Sequence, residues 1–367
     1  MEISRREFAK MGALGLAAQT VPSALAQTGG RKVGYCVIGL GRIADHFMRG
    51  VKDSSVSKIT GLVSGHREKA LKIAAQYGVP ESSIYSYEQM DAMRDNKSID
   101  AVYVALPNSM HAEYTIRSAK AGKHVLCEKP MAISVAESEA MIAACNAAKV
   151  KLMIAYRLHY EPTTLRAIKL IRDGAIGTIQ AINSANGFNI GKGEWRTDKA
   201  LAGGGPLMDV GIYCLNATRY LTGEEPTGIT ASISTVDHDG RFDTVEENTA
   251  WTMKFPSGAL ASCSTTYGAT MPGFYRVYGS KGWLEVNEFG YDGLHLRANF
   301  RSGPRGTPPT VLDEPNPEKD PKQFTREADH FTECILNDKT PQTSGEEGLR
   351  DMRYMKEIYK AAGVTAL

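Results

Sequence analysis

The sequence predicts two domains: a doubly wound α/β domain with a parallel sheet, then an α+β domain with a large open, mainly antiparallel sheet. Between residues 32 and 157, short apolar runs alternate with segments of helical periodicity. Such runs indicate strands that helices cover on both faces. After residue 162 the segments shorten, alternate with polar residues and are broken by Gly, Pro and Asp, which is typical of strands with one covered face.

The elements of the first domain follow one another in a regular order, and we assign residues 31–157 to it. Its predicted strands cover residues 33–38, 59–64, 101–106, 124–126 and 152–155. The predicted helices cover residues 43–51, 68–77, 111–121 and 135–148.

The second domain begins with a helix near Pro162, because proline suits the first turn of a helix. Residues 300–322 are rich in Pro, Gly and charge and are expected to form a surface excursion. We assign residues 158–345 to this domain and residues 346–367 to a C-terminal helix. Its clearest predicted strands and helices cover residues 231–236, 249–255, 259–265, 324–336 and 346–362.

The composition is that of an ordinary soluble protein. Of 367 residues, 42% are hydrophobic and 23% charged, and 43 basic residues against 41 acidic ones give a formal charge of +2. This balance gives no reason to expect nucleic acid or an anionic membrane surface as a partner. The six cysteines lack any C-x-x-C pair, so we expect buried free thiols, and we find no metal-ligand spacing.

The first 26 residues predict a twin-arginine export signal. Arg5 and Arg6 precede an apolar stretch over residues 11–18, and Ala24-Leu25-Ala26 offers a cleavage site. The stretch is shorter than the roughly 20 residues of a membrane span, so no membrane association is expected after cleavage. Retention of the signal as an anchor is the alternative. We expect the export machinery as a partner and a periplasmic location.

A glycine turn predicts a nucleotide site in the first domain. Gly39-Leu40-Gly41-Arg42-Ile43-Ala44 is a G-x-G-x-x-A motif between a strand and a helix, the arrangement of a Rossmann fold. The glycines permit a tight turn and a close backbone approach to a pyrophosphate, and the helix N-terminus offers N–H groups to it.

The end of the second strand favours NADP over NAD. An NAD site usually has an Asp or Glu there, but this chain has Ser64, followed by Arg67 and Lys69, with Arg42 in the first turn. A hydroxyl and cations suit a 2′-phosphate. Alternatively, Arg67 and Lys69 belong only to the solvated face of a helix.

Two further motifs carry groups suited to proton transfer. Glu128-Lys129-Pro130 follows a strand at the edge where parallel sheets present their ligands. Asp209 and Tyr213 follow a glycine run at residues 203–205, and their spacing puts them on one face of a helix that starts there. Taken singly, such a lysine is more often on the surface and such a tyrosine in the core.

Together these motifs resemble the glucose–fructose oxidoreductase and inositol dehydrogenase (Gfo/Idh/MocA) family over almost the whole chain. The shared marks include the glycine turn, Leu106-Pro107-Asn108 with His111, and Glu128-Lys129-Pro130. Most of the family has His where this chain has Tyr213. Tyrosine there resembles the exported glucose–fructose (aldose–aldose) oxidoreductase branch, as do the signal, Ser64 and the segment from Tyr156 to Tyr160.

The resemblance implies hydride transfer between a sugar C1 and the nicotinamide, with sugars as the small-molecule partners. Tyr213 exchanges the proton, and because free tyrosine ionises near pH 10, Lys129 must supply a positive field. Asp209 orients a sugar hydroxyl, and Arg157 and Tyr160 are further expected substrate contacts. Cofactor contacts carried over from the family are Leu106, Asn108, His111, Glu128 and Lys129.

The export signal and the family together imply a tightly bound NADP, since free dinucleotides are not expected outside the cytoplasm. An aldose is then oxidised to its lactone, and a second sugar, aldose or ketose, is reduced to an alditol. Glucose–fructose oxidoreductase has a long N-terminal arm that helps to bury the nucleotide, and only residues 27–32 stand in that place here. The family also suggests a homodimer or higher homo-oligomer, formed through the exposed face of the second sheet.

Three other functions are open at this point. The chain is alternatively a simple NADP-dependent aldose 1-dehydrogenase or reductase with an exchangeable cofactor, or a nicotinamide-dependent glycosidase. A non-enzymatic NADP-binding regulator is the third, and it would tolerate replacement of Lys129 or Tyr213.

Overall fold

A computed structural model describes residues 31–304 and 306–364. The predicted export signal lies outside the described residues. The first sheet has six parallel strands in the order β3-β2-β1-β4-β5-β6, with the switch point of the doubly wound topology between β1 and β4. Its strands are β1 Val33–Ile38, β2 Ser57–Val63, β3 Ile84–Tyr85, β4 Ala101–Val104, β5 His124–Glu128 and β6 Leu152–Ala155. Its helices are α1 Arg42–Lys52, α2 Arg67–Tyr77, α3 His111–Lys120 and α4 Val135–Ala148.

The strands of this sheet are buried on both faces, as their continuous apolar runs predict. Every residue of β1 is buried, and alternate side chains enter two different cores: Cys36 and Ile38 pack in one, Tyr35 and Val37 in the other. Two covered faces are what the doubly wound arrangement requires. The predicted Rossmann fold is confirmed.

The second sheet has eight strands in the order β14-β13-β12-β11-β7-β10-β9-β8 and is antiparallel except for the β7–β10 pair. Burial alternates along β9 from Thr249 to Lys254, so one face is covered and the other is open, as predicted. Its elements are α5 Pro162–Arg172, β7 Ile179–Gly187, α6 Lys199–Ala202, a π-helical turn Leu207–Gly211, α7 Ile212–Thr222, β8 Gly228–Ser234, β9 Asn248–Lys254, β10 Leu260–Thr266, β11 Met271–Gly279, β12 Gly282–Asn287, β13 His295–Phe300 and β14 Thr310–Pro315.

The surface excursion expected at residues 300–322 is partly wrong, because it contains β14. This strand pairs with β13 along its length, and Arg297 contacts Asp313 across the pair at 3.1 Å. An edge strand needs hydrogen bonds on one side only and tolerates charge and proline. A strand of this composition contains no apolar run, so the sequence pattern did not predict it.

The last two helices, α8 Lys322–Leu336 and α9 Gly345–Ala361, return to the first domain. The hydroxyl of Tyr35 in β1 donates to the Ala328 carbonyl of α8 at 3.1 Å. Tyr156, just after β6, donates to Asp351 of α9 at 2.7 Å. The two sheets are thus joined by a connecting chain and also by these helices, while the domain boundaries drawn from the sequence stay a prediction.

Asp351 lies at the centre of a buried polar network and is expected to contribute strongly to stability. Its carboxylate accepts from Tyr156, from Asn216 at 2.8 Å and from Arg219, and it is fully buried. In Asp351→Ala, Arg219 loses a buried partner, so we expect the free energy of unfolding to fall by about 3–5 kcal/mol. Urea denaturation followed by circular dichroism measures it.

The matched control is Asp338→Ala, which removes an ion pair with Lys151 at a carboxylate that is 99% exposed. That variant should lose less than about 1 kcal/mol. Equal losses in the two variants would mean that the network adds nothing beyond a surface pair.

All six cysteines are buried and free, which confirms the predicted thiols. Within the described ranges, no helix is long and apolar enough to cross a bilayer.

Candidate active site

The glycine turn after β1 leaves the start of α1 open to a ligand. Gly39 has φ +86°, a conformation that glycine adopts without strain. Gly41 caps α1 without a side-chain hydrogen bond, and a Cβ placed on it would find no atom within 4 Å. Leu40 and Ala44 are buried beside it. The free N–H groups and positive end of α1 therefore fit the pyrophosphate of a dinucleotide.

The residues predicted to choose the dinucleotide lie at the carboxyl end of β2. Ser64 is mostly buried, and its Oγ accepts from the backbone N–H of His66 at 3.0 Å. Arg67 and Lys69 are exposed, and Arg67 forms an ion pair with Glu81 at 3.2 Å. Because the Arg67–Glu81 pair is open to water, it costs little to rearrange around a phosphate.

A cavity of about 740 Å³ lies between the carboxyl edge of the parallel sheet and the second sheet. Most of the predicted site residues meet there, although they come from distant parts of the chain. Those that line it are Arg42, Ile43, Leu106, Asn108, His111, Glu128, Lys129, Arg157, Asp209 and Tyr213.

Asn108 and His111 hold the wall of the cavity in shape. The Asn108 amide donates to the Ala202 carbonyl at 2.9 Å. The His111 ring lies between the carbonyls of Pro130 and Leu106, at 2.8 and 2.9 Å from its two nitrogens. Burial lowers the pKa of His111 below its ordinary value. These contacts fix the segment that carries Lys129 against the loop after β4.

Glu128 is buried behind Lys129. Its carboxylate accepts from the hydroxyl of Tyr103 and, at 3.2 Å, from the backbone N–H of Lys129. Burial raises the pKa of Glu128 although both contacts oppose the shift. Glu128 therefore orients the backbone that presents Lys129.

Lys129 and Asp209 form the charged centre of the site. The Lys129 ammonium donates to the Asp209 carbonyl at 2.6 Å and to its carboxylate at 3.1 Å. The other carboxylate oxygen accepts from Arg196 at 3.0 Å and from Tyr267 at 2.8 Å. Burial opposes ionisation of Asp209, but Lys129 and Arg196 outweigh it and lower the pKa to about 2.

Lys129 is likewise held in its charged form. Burial acts to lower its pKa, but Tyr213, Asp209 and Glu128 raise it above the ordinary value. Its ammonium lies 4.8 Å from the centre of the Tyr213 ring. A cation and an aromatic hydroxyl are therefore held side by side at the cavity wall.

Tyr213 is held from its other side as well. Arg157 donates to its hydroxyl at 3.4 Å, and the ring of Phe289 stacks on it at 5.7 Å with an interplanar angle of 17°. Tyr213 is the second residue of α7, directly after the π-helical turn that contains Asp209. Turns of this kind are rare and occur often at functional sites. The expected shared face of Asp209 and Tyr213 is thus achieved through a widened turn.

Comparison with known proteins agrees with this arrangement. Residues 33–156 match the model of an oxidoreductase family with an NAD-binding Rossmann fold, and residues 164–285 match the GFO/IDH/MocA C-terminal domain. The chain belongs to the GFO/IDH/MocA oxidoreductase family. The family predicted from the motifs is confirmed, and the chain is an oxidoreductase.

Three known proteins are similar to the chain over most of their length. An aldose-aldose oxidoreductase from Caulobacter crescentus, solved with glycerol, is 46% identical, covers 91% of this chain and 98% of its own, and has a TM-score of 0.85. The D-xylose 1-dehydrogenase [NADP(+)] of Haloarcula marismortui is 31% identical over 338 residues, 90% of this chain and 91% of its own. A levoglucosan dehydrogenase with NADH, 22% identical at a TM-score of 0.81, shares the fold. The first of these confirms the predicted branch of the family.

The structure corrects the assignment of Tyr160 as a substrate contact. Tyr160 is 6% exposed, and its hydroxyl donates to Thr343 at 3.0 Å, while Thr343 donates to the Ile154 carbonyl. Its ring packs in the core of the first domain and does not line the cavity. Arg157, from the same short segment, does line the cavity, where its guanidinium contacts Tyr213.

Several residues of the site do not belong to any motif and were not predicted from the sequence. Arg196 pairs with Asp209, and Trp195 lies against the Arg196 guanidinium at 4.7 Å. The only local signal was a tryptophan next to an arginine in a polar loop. Other missed groups that line the cavity include His46, Asn186, Phe188, Glu194, Glu288, Phe289 and Tyr291.

Within the part of the chain that the structure describes, no group of three or more His, Cys, Asp or Glu side chains is placed to hold a metal ion.

Proposed function

We propose that this chain is an NADP-dependent sugar oxidoreductase that oxidises an aldose at C1 to the aldonolactone and reduces a second sugar to an alditol. The observation that carries the proposal is Tyr213, held between Lys129 and Arg157 at the wall of the cavity. The similarity to an aldose-aldose oxidoreductase and to an NADP-linked xylose dehydrogenase supports the substrate class and the cofactor.

NADP, held at the glycine turn of Gly39 and Gly41, would supply the hydride-transfer chemistry for both sugars. Tyr213 takes the proton of the C1 hydroxyl as the C1 carbonyl forms. The cations of Lys129 and Arg157 stabilise the phenolate that accepts it. Asp209, ionised throughout the neutral range, accepts a hydrogen bond from a sugar hydroxyl and so orients the ring.

The second half of the reaction uses the same groups in reverse. Tyr213 returns its proton to the carbonyl oxygen of the second sugar as that carbonyl becomes a hydroxyl. No proton exchange with solvent is required between the two halves, because the proton that leaves one sugar serves the next. Kinetics with two sugars should therefore be ping-pong.

An absorbance spectrum of purified, extensively dialysed protein tests the proposal. Glucose or xylose alone should produce a reduced-nicotinamide band, and a second sugar should remove it. Intersecting double-reciprocal lines with two sugars would count against the proposal. Dialysed protein without nucleotide that needs added NADP would favour a simple dehydrogenase, the alternative that the similarity to a xylose dehydrogenase supports.

Replacing Ser64 with Asp is expected to turn the preference from NADP toward NAD. A carboxylate at the end of β2 accepts from a ribose 2′-hydroxyl and repels a 2′-phosphate. The affinity for NADP relative to that for NAD, measured as the ratio of the two dissociation constants on nucleotide-free protein, should fall about 100-fold, the effect of roughly 3 kcal/mol of altered binding. In Ser98→Asp, a control at an exposed serine before the opposite, amino end of β4, the ratio should stay as in the wild type. An unchanged ratio in Ser64→Asp would argue against NADP selection at this position.

We propose a periplasmic location, reached by folded export along the twin-arginine route, on the evidence of Arg5 and Arg6 in their sequence setting. Replacing both arginines with lysine should leave the protein in the cytoplasmic fraction. An unchanged distribution would contradict export by this route.

We propose a homodimer, formed through the open face of the second sheet. That face carries Phe274, Tyr278 and Trp283, and Tyr278 is 36% exposed. Aromatic residues on an uncovered face favour association. Light scattering should give twice the chain mass for the wild type and the chain mass for Tyr278→Asp; an unchanged mass in the variant would overturn the assignment of this face.

A further inference from the structure

A loop of the second domain reaches across the cavity to the first domain. Residues 288–292, which we call the strap, form most of the loop 288–294 that connects β12 to β13. The strap lines the cavity with Phe289, Gly290 and Tyr291. The first turns of α1 line the same cavity with Arg42, Ile43 and His46. The strap and the dinucleotide-binding helix thus form facing walls of one space.

The inner side of the strap is held by its backbone. Arg157 donates to the carbonyl of Gly290 at 2.8 Å and to that of Phe289, and Gln323 donates to the carbonyl of Tyr291 at 3.1 Å. These donors lie in the protein interior, because Arg157 and Gln323 are 5% and 2% exposed. The inner attachment is therefore a fixed part of the fold.

The outer side of the strap is attached to α1 through Asp320, which we call the latch. The backbone N–H of Asp320 donates to the Asp292 carboxylate at 2.7 Å. The Asp320 carboxylate contacts His46 at 2.8 Å and Arg49 at 2.6 Å. The ring of Tyr291 lies over His46, with centroids 4.3 Å apart. Few contacts make this attachment, and Asp292 is exposed to water.

The ends of the strap have backbone conformations that favour movement or carry strain. Glu288 has φ +68°, a left-handed conformation that costs a non-glycine residue about 1 kcal/mol or more. Gly293 has φ +81°. A loop with a strained start and a glycine at its end needs its attachments to stay in place.

We propose that the strap retains the bound dinucleotide and that the latch contacts of Asp292, Asp320 and Arg49 set the rate of its release. The inference rests on the proposed function, in which the cofactor stays bound between two sugars. A dinucleotide that meets the N-terminus of α1 and serves Lys129 and Tyr213 occupies the cavity that the strap closes. Opening the latch frees the ring of Tyr291 from its contact with His46, while Arg157 and Gln323 keep the backbone of the strap in place.

The test measures release directly. Protein loaded with NADPH is mixed with excess ADP-ribose as a trap, and the loss of bound-NADPH fluorescence gives the dissociation rate constant. In Asp292→Ala and in Arg49→Ala this rate constant should rise roughly tenfold to a hundredfold, the range of one charge-assisted hydrogen bond. In a second experiment the protein is loaded with oxidised NADP and mixed with a sugar. The rate constant for reduction of the bound NADP in a single turnover should stay within about twofold of the wild-type value.

The matched control is Asp45→Ala. Asp45 lies on α1 and pairs with Arg49 at 3.0 Å but has no contact with Asp320, and its carboxylate is 62% exposed. Its dissociation rate constant should equal that of the wild type, and thermal unfolding of all variants should match. If Asp292→Ala and Arg49→Ala both released NADPH at the wild-type rate, the proposed role of the strap would be wrong. Fast release from the wild type itself would instead contradict the proposed two-sugar function, and the ratios between variants would still report on the strap.

Discussion

Replacing Tyr213 with Phe is expected to lower kcat about 10²–10⁴-fold, the contribution of a positioned acid–base group. The ring keeps its stacking on Phe289 and its place above Lys129, so the loss is confined to the proton-transferring hydroxyl. Dinucleotide binding, measured by fluorescence titration, should stay within about twofold. Single-turnover reduction of the bound cofactor by an aldose measures the chemical step.

Tyr160→Phe is the matched control for this variant. It removes the same hydroxyl from a tyrosine in the same 3₁₀ segment as Arg157, whose hydroxyl bonds to Thr343 outside the cavity. Its kcat should stay near that of the wild type, with a stability loss of about 1 kcal/mol for one buried hydrogen bond. A large fall of kcat in Tyr160→Phe, or a small one in Tyr213→Phe, would exchange the roles assigned to the two residues.

The parallel domain was largely predictable because one physical rule governs most of its strands. Five of the six strands appear as apolar runs because both of their faces are buried, and β1 and β6 were placed at their observed bounds. The sixth strand, β3, has only two residues and was not predicted. The glycine turn was also predictable, because the positive φ of Gly39 and the open space beside Gly41 both depend on local sequence.

The prediction for Tyr160 was wrong and that for the segment that contains β14 was partly wrong, because such local rules do not determine either of them. The side chain of Tyr160 enters the core, where its hydroxyl contacts Thr343, a partner 183 residues away. The strand β14 exists because β13 offers a free edge, although its own composition suggests a loop. Both outcomes depend on distant partners that periodicity cannot reveal.

The charged centre could be predicted only in part, because one of its members comes from a segment without a motif. Lys129, Asp209 and Tyr213 stand in motifs, whereas Arg196 joins them from a polar loop with no pattern of its own. Its effect is nevertheless large, because it shares with Lys129 the lowering of the Asp209 pKa. A site can thus be located by its motifs while its electrostatics depend on residues outside them.

Replacing Lys129 with Met is expected to lower kcat about 10²–10³-fold, as for other removals of one electrostatic donor from an active site. Methionine keeps much of the length and removes the charge beside Tyr213. Asp209 loses one of its two cations, so its pKa should rise from about 2. Because a carboxylate with a lowered pKa loses its charge as the pH falls, the acid limb of kcat/KM should move to higher pH.

Lys169→Met, at an exposed lysine of α5 paired only with Asp173, controls for the substitution itself and should leave kcat and the pH profile unchanged. The double variant Tyr213→Phe/Lys129→Met decides how the two residues act. If Lys129 works by stabilising the phenolate of Tyr213, its loss matters little once that hydroxyl is gone, and the double variant should be about as slow as Tyr213→Phe alone. Multiplied losses would mean that Lys129 acts on the sugar oxygen independently, as a donor in its own right.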